Sequence, residues 1–432
     1  MLSSSNEPVE IKTKVLVVGG AYAGLAAVRA LTTRWRESQD RIKECESGTL
    51  PDNKKTLSIT FVEPKSGLLN ILGIPKAIIN SEFAKTQYVP FEDTKLQINR
   101  VISGDETVIE RFKTRKNVVD FKFDDSVEVT YVQGKVTHLT ETDAEYTLEH
   151  EGTKNGDKSG KINFEYVILA SGRDRNWPTT PDGFTPESYA DEMNKFKKSV
   201  ENQDIVTIIG AGAVGLEVAG DIKHEFPDKT VNLIHPHSTF PPEPLTAEFK
   251  AMVLDSVTRG GVKVHLNTRI SEELPSGDLV TTTGEIIKSG CNFWSTSHKN
   301  NVELLCGSLK VQFVNKQQNI LVNEFLQLTN ATRQVGNFFV LGDLVELPII
   351  KSAGWAMYMG RAAANNVISL INNGELVEPL PDLAVMPRGM VVVAGNGDIV
   401  SEIMGVAELN IPGYVEEYKD YCLGKILATL DI

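Results

Sequence analysis

Cysteine is scarce in this chain: Cys45, Cys291, Cys306 and Cys422 are spread over 432 positions. No pair has C-x-x-C or C-x4-C spacing, so neither a zinc knuckle nor a redox-active thiol pair is written into the sequence. Free thiols in a reducing compartment are the expectation. The seven histidines lack the short repeats that ligate a metal, so no metal site is expected. Basic blocks are missing too: 44 Lys and Arg against 57 Asp and Glu leave a net charge of −13, the wrong sign for a nucleic-acid partner. No apolar run approaches the roughly 20 residues that cross a bilayer. Residue 2 is Leu where N-myristoylation uses Gly, and the C-terminal Leu-Asp-Ile holds no prenylation cysteine. Any membrane contact is therefore expected to be peripheral. Lys12 and Lys14 before an apolar run imitate a secretory leader, but Gly19, Gly20 and Gly24 interrupt it and an amphipathic pattern follows, which reads as mature structure. The expected location is cytoplasmic, extending to association with mitochondria or lipid surfaces.

The remainder is ordinary for a globular protein of two or three domains, 41% hydrophobic and 23% charged. "KVLVVGGAYAGLAAVRAL" (14–31) reads as a buried strand, a glycine turn and a helix. Leu25, Val28, Leu31 and Trp35 recur on one helical face. Residues 36–56 are polar and read as an exposed insertion, and "SITFVEP" (58–64) as the second strand, ending in Glu63. In the middle of the chain "DIVTIIGAGAVGLEVAGDIKHEFPDKTVNLIHP" (204–236) repeats the pattern. Gly210, Gly212 and Gly215 complete G-x-G-x-x-G there. Between the copies, "YVILASGRDRNWP" is a strand meeting a small-residue turn at Ser171-Gly172, with an acidic, proline-containing crossover over 178–203. "VGNFFVLGDLVELP" (335–348) is a strand ending in Gly342-Asp343, followed by an Ala-rich helix.

A helix N-terminus offers free N–H groups and the positive end of its dipole to a diphosphate. The first glycine permits the sharp turn, the second lets backbone approach phosphate, and the third lets helix and strand pack closely. In the loop Gly19-Gly20-Ala21-Tyr22-Ala23-Gly24, Ala21 stands at the second position, so this loop is the weaker of the two. Glu63 is the strand-end acid expected to accept ribose hydroxyls, displaced to about twice the usual ~20 residues by the polar insertion. The matching position of the second copy is His235, with His237 close by. Neither a carboxylate nor an Arg stands there, which leaves NADH against NADPH open. Asp343 is placed to accept bonds from sugar or polyol hydroxyls, although a lone Gly-Asp is commonly only a turn. The helix after it, with Lys351 at its start, could stabilise negative charge on a reduced flavin.

Two glycine loops, "ILASG" and "FFVLGD" in this order resemble the two-dinucleotide-binding-domain flavoproteins of the pyridine nucleotide-disulphide oxidoreductase superfamily. Within them the chain is similar to the apoptosis-inducing-factor-like branch, which includes ferroptosis suppressor and type II NADH dehydrogenase relatives. "GIPKAIINSEFAKTQYVPF" (73–91), "QGKVTHL" (133–139), "GLEVAGDIKHEFPDKTVNLIH" (215–235), "KSAGWAMYMG" (351–360) and "PRGMVVVAGNGD" (387–398) carry the likeness. It implies an α/β fold of two Rossmann-like domains, FAD- and NAD(P)-binding, plus a small C-terminal α+β domain. The expected bounds are 8–195 and 301–380 for the FAD-binding domain, 196–300 for the NAD(P)H-binding domain and 381–432 for the last. It implies FAD on the 19–24 loop and Glu63, with Lys76, the Val136 backbone, Ser171, Gly172, Gly342 and Asp343 contributing. NAD(P)H would dock on the 210–215 loop and His235. Lys351 beside the flavin and Glu217 at the flavin–nicotinamide junction are the implied catalytic residues. "STSHKN" replaces the usual Thr-Gly near 296–297.

The implied activity is an NAD(P)H:acceptor oxidoreductase that sends electrons through FAD to a quinone-type or other small-molecule acceptor, with a homodimer as the candidate assembly. A reductase of a small electron-carrier protein and a redox-sensing, death-signalling flavoprotein are the alternatives. The tail "YVEEYKDYCLGKILATLDI" spaces Leu423, Ile426, Leu427 and Leu430 helically, for its own core or for a membrane surface.

Overall fold

In the computed structural model, which describes residues 11–45, 55–114, 124–150, 158–296, 298–386 and 388–432, the run Val15-Leu16-Val17-Val18 is buried in the strand Ile11–Val18. Such a run needs cover on both faces, which a parallel sheet supplies. The strand pairs in parallel with Lys55–Glu63 on one side and Tyr166–Leu169 on the other. Val127–Leu139 continues the sheet in parallel beyond Lys55–Glu63, and antiparallel strands Asp143–Leu148 and Ser159–Asn163 finish that side. On the opposite side Gln334–Val340 joins Tyr166–Leu169 in parallel. This sheet is thus completed by chain that lies beyond a second, four-stranded parallel sheet, ordered Lys263–His265, Thr230–Ile234, Ile205–Ile209, Cys291–Trp294. The fold is α/β with two Rossmann-like units. A small antiparallel sheet, Gly389–Val393, Ile399–Ile403 and Val406–Leu409, follows.

The helix Tyr22–Cys45 places Leu25, Val28, Leu31 and Trp35 fully inside the first core. It also corrects the reading of residues 36–56 as an exposed insertion. The helix runs on to Cys45 and the next strand begins at Lys55, while 46–54 lie outside the described residues. Arg, Glu, Gln and Lys are good helix formers, so a polar stretch continues a helix as readily as it makes a loop. Arg36 ties this extension to Asp124 at 3.4 Å.

Helix Ala353–Asn373 packs along the first helix through small residues. A Cβ on Gly360 would lie 2.3 Å from the Ala23 carbonyl oxygen, 2.8 Å from Ala26 Cβ and 3.0 Å from Ala27 N. A second core gathers the other sheet with Ile74, Ile78 and Tyr88 and with Val392, Ala394 and Val400 of the C-terminal sheet. The last helix, Leu423–Leu430, buries Leu423, Ile426 and Leu430; Asp431, just beyond it, pairs with Arg29. Its apolar face is thus engaged by the protein itself. Among the described residues no helix is long and apolar enough to cross a membrane.

Gly360→Ala is expected to force the two helices apart and to destabilise the protein by about 2 kcal/mol. Denaturant unfolding checks it, with Gly374→Ala, at a helix end where an added Cβ meets nothing within 4 Å, separating steric cost from backbone cost.

Candidate functional site

The parallel strands of the first sheet all deliver their carboxyl ends to one edge. Val18 registers with Val62 and Leu169, and Leu169 with Val340. Gly19, Glu63, Ala170-Ser171-Gly172 and Leu341-Gly342-Asp343 therefore stand side by side, outside the strand ends where ligands bind in open α/β sheets.

The first loop is built around Gly19, whose φ of +104° belongs to glycine. Its N–H donates to the Val62 carbonyl at 2.9 Å, and a Cβ there would lie 2.3 Å from the Ala170 carbonyl oxygen. Gly24 sits so close beneath that its Cβ would come within 1.8 Å of the Gly19 carbonyl oxygen. The second loop repeats this construction. Gly210 has φ +108°, its N–H donates to Ile234 at 2.8 Å, and a Cβ on Gly215 would come within 1.9 Å of the Gly210 carbonyl oxygen. Gly212, at the middle position, is different: an added Cβ would meet nothing within 4 Å. The equivalent Ala21 is exposed, so the departure from G-x-G-x-x-G falls where this backbone has room for a methyl. Neither following helix carries an acid in its first turn, leaving its N–H groups and dipole available to an anion. Both cradles fit the diphosphate of a dinucleotide.

At the second strand ends the two units part company. Glu63 Oε2 accepts from Gly20 N–H at 2.7 Å, and Oε1 from Lys65 N–H at 3.0 Å. Burial pushes its carboxyl above the usual range, against these two donors and the Lys65 ammonium. In the second unit Ala211 N–H points at His235 Nδ1, 3.4 Å away, and the imidazole is buried.

Asp343 closes the shared edge of the first sheet. Gly342, at φ +68°, turns the chain, and Asp343 Oδ2 lies 2.7 Å from Arg173 Nε and 3.8 Å from an Arg175 guanidinium nitrogen. The antiparallel pairing of Arg173–Arg175 with His298–Asn300 holds both arginines there. Lys351 donates to the Val345 carbonyl, and burial pulls its ammonium down to about 8 despite the neighbouring Asp343. Ser171 Oγ donates to the Asn301 carbonyl at 2.9 Å, and Gly172 is at φ +63°. Val136 is buried in the long strand, beside a register shift.

Lys76 and Glu217 belong to a different group. The Lys76 ammonium lies 4.7 Å from the centre of the Phe83 ring and 5.9 Å from that of Tyr421. Tyr421 donates to Asp221 Oδ2 at 2.7 Å. Glu217, one turn earlier on the same helix, accepts from Val393 N–H at 3.3 Å. Desolvation pushes its carboxyl up to about 8, and the nearby Asp221 adds to the rise. Lys351 thus groups with Asp343 and Arg173, and Glu217 with Asp221 and the C-terminal segment.

Several polar residues around these positions, Asn70, Gln87 and Lys65 among them, lie outside the glycine-loop and strand-end patterns. Tyr22 donates to the fully buried Asn70 at 2.6 Å, and Asn70 Nδ2 reaches Gln87 Oε1 at 2.8 Å and the Tyr421 carbonyl at 3.0 Å. Lys65 donates at 2.8 Å to the carbonyls of Pro181 and Gly183. Only Arg173 and Arg175 carried a legible signal, two cations directly after a small-residue turn. Among the described residues no cluster of His, Cys, Asp and Glu suits a metal ion.

A family model described as pyridine nucleotide-disulphide oxidoreductase matches residues 13–360. Oxidoreductase OXR1 of Ajellomyces capsulatus is 27% identical over 416 residues, covering 92% of this chain and 82% of that protein. Ferroptosis suppressor protein 1 of Homo sapiens is 26% identical over 255 residues, 56% of this chain and 65% of that protein. Among solved structures, a NAD-dependent persulfide reductase from A. fulgidus superposes with a TM-score of 0.60 at 18% identity, over 90% of this chain and 64% of that one.

The raised carboxyl of Glu217 sets a pH dependence. Its folded pKa of about 8 exceeds the ordinary 4.5, so the folded state holds the extra proton and its stabilising contribution fades as pH rises through 8. Glu217→Gln is expected to flatten the fall in unfolding free energy between pH 5 and 8 by about 3.5 kcal/mol, read by denaturant titration at each pH.

Proposed function

The chain belongs to the pyridine nucleotide-disulphide oxidoreductase family, and on that footing we propose that it is an FAD-dependent NAD(P)H:acceptor oxidoreductase whose electrons pass to a quinone-type small molecule. The observation that carries this reading is the duplicated loop: one backbone construction, twice in one chain, each ahead of a helix without early acids. Held at the Gly19 loop, a flavin would supply the hydride-accepting and electron-donating chemistry that links the reduced nicotinamide to the acceptor.

The protein's own part is placement and charge. The helix beginning at Tyr22 holds the flavin dinucleotide's diphosphate, and Glu63 accepts its ribose hydroxyls on the lone pairs that the Gly20 and Lys65 N–H groups leave free. Arg173 and Arg175 orient Asp343 at the same edge, where its free lone pairs take sugar or polyol hydroxyls. Lys351 supplies a cation that burial leaves easily discharged. The helix beginning at Ala213 receives the nicotinamide dinucleotide, and Glu217 sits on that helix as a carboxyl that is largely protonated at neutral pH. A small neutral acceptor suits a chain of net charge −13 better than an acidic carrier protein, which it would repel. The sequence supports direct transfer to the acceptor, since no closely spaced cysteine pair is present to relay electrons.

Purified protein is expected to be yellow and to bleach on anaerobic titration with NADH or NADPH, then to recover on adding a quinone. Protein that stays colourless after reconstitution with FAD would sink the reading. Glu63→Ala is expected to retain at least about tenfold less flavin after gel filtration, by the loss of charge-assisted hydrogen bonds to ribose.

A further inference from the structure

The two nucleotide units share their backbone and differ in charge at one matched place. The residue after the first glycine aims its N–H at the end of the neighbouring strand in both: Gly20 at Glu63, Ala211 at His235. In such units the strand-end group faces the adenosine ribose, where a carboxylate accepts the free 2′- and 3′-hydroxyls and repels a 2′-phosphate. The first unit keeps that carboxylate. The second has a buried imidazole in its stead.

What surrounds His235 is cationic. His237 and Lys250 are the charged groups that act on its ring, and both oppose its protonation, as positive charges do. His237 is exposed on the turn that leaves the strand. The segment after strand Lys263–His265 lies alongside: Thr268 N–H donates to the His235 carbonyl at 3.0 Å and Asn267 N–H to that of His237 at 3.1 Å. Arg269, the next residue, is exposed. The stretch from His235 to Pro242 contains no acid. Glu243, the carboxylate that follows, faces Lys250 and so engages part of that charge, which leaves Arg269 as the freer cation, with the exposed His237 imidazole beside the same strand end.

We infer that the second glycine loop selects the 2′-phosphorylated dinucleotide, NADPH over NADH, with His237 as the principal phosphate-binding residue and Arg269 in support. This rests on the reading that the 210–215 loop is the reductant's cradle. No acid at the strand end rejects a dianion there, and the Arg269 guanidinium and a ring N–H of His237 reward it through hydrogen bonds.

The test uses flavin-loaded protein and two readouts. Calorimetry with adenosine 2′,5′-bisphosphate and with AMP measures the pocket without turnover, and kcat/KM for NADPH and NADH measures it in use. The bisphosphate is expected to bind at least about tenfold tighter than AMP, with the advantage shrinking at high salt. His237→Ala should cut that advantage roughly fivefold. His235→Asp should invert it; since that position is buried, a misfolded variant is identified by circular dichroism and the exposed His237→Ala then carries the test. Equal or tighter binding of AMP, with NADH the better reductant, would overturn the preference and leave the oxidoreductase reading standing. If neither nucleotide bleaches the flavin, both fall.

Discussion

The whole arrangement hangs on a backbone contact at the mouth of each nucleotide unit. A glycine in the left-handed region turns the chain sharply enough that the following helix starts almost on top of the strand it left. In both loops the third glycine lies against the first one's carbonyl, at a distance that no side chain could share. That closeness points a helix N-terminus into the crevice beyond the strand ends. The neighbouring strands then bring the residues that follow them to the same edge: Glu63, Ser171 and Asp343 in one sheet, His235 in the other. A substitution at Gly19 or Gly24 would disturb these relations together in the first sheet.

With the backbone held constant between the units, chemistry is set by what stands at the strand ends. A carboxyl group stands beside one loop and a buried imidazole beside the other, on the same backbone construction. The acid of the first unit is held in reserve by two backbone N–H groups, so its lone pairs stay aligned. At the far side of that sheet, Asp343 is held by Arg173 and Arg175, which suits a group meant to present a fixed acceptor geometry.

Much of this could be read from the residues because it depends on local pattern. The glycine loops, the buried strand runs and the apolar face of the first helix are short-range signals, and Glu63 is found by following a strand to its end. The extension of the first helix to Cys45 was hidden because polar helix formers look like loop residues until tertiary contacts, here Arg36 with Asp124, decide the matter. Asn70, Gln87 and Lys65 left no trace in the sequence for a different reason. Their partners are Tyr22, Tyr421 and the carbonyls of Pro181 and Gly183, far away in the chain, and no periodicity encodes such a meeting. The place of Glu217 beside the C-terminal segment is likewise a fact of packing.

The interrupted first sheet has a consequence for how the protein is made. Strand Gln334–Val340 and helix Ala353–Asn373, which cover one side of the N-terminal unit and seat Gly360 against Ala23, leave the ribosome only after the entire second unit has been synthesised. Until then the first nucleotide unit waits with an alanine-rich flank bare and a sheet border unpaired, while the inserted unit can already pair its own four strands. The strand-end edge beside the Gly19 loop is thereby complete only once Asp343 and the helix that follows it have been made.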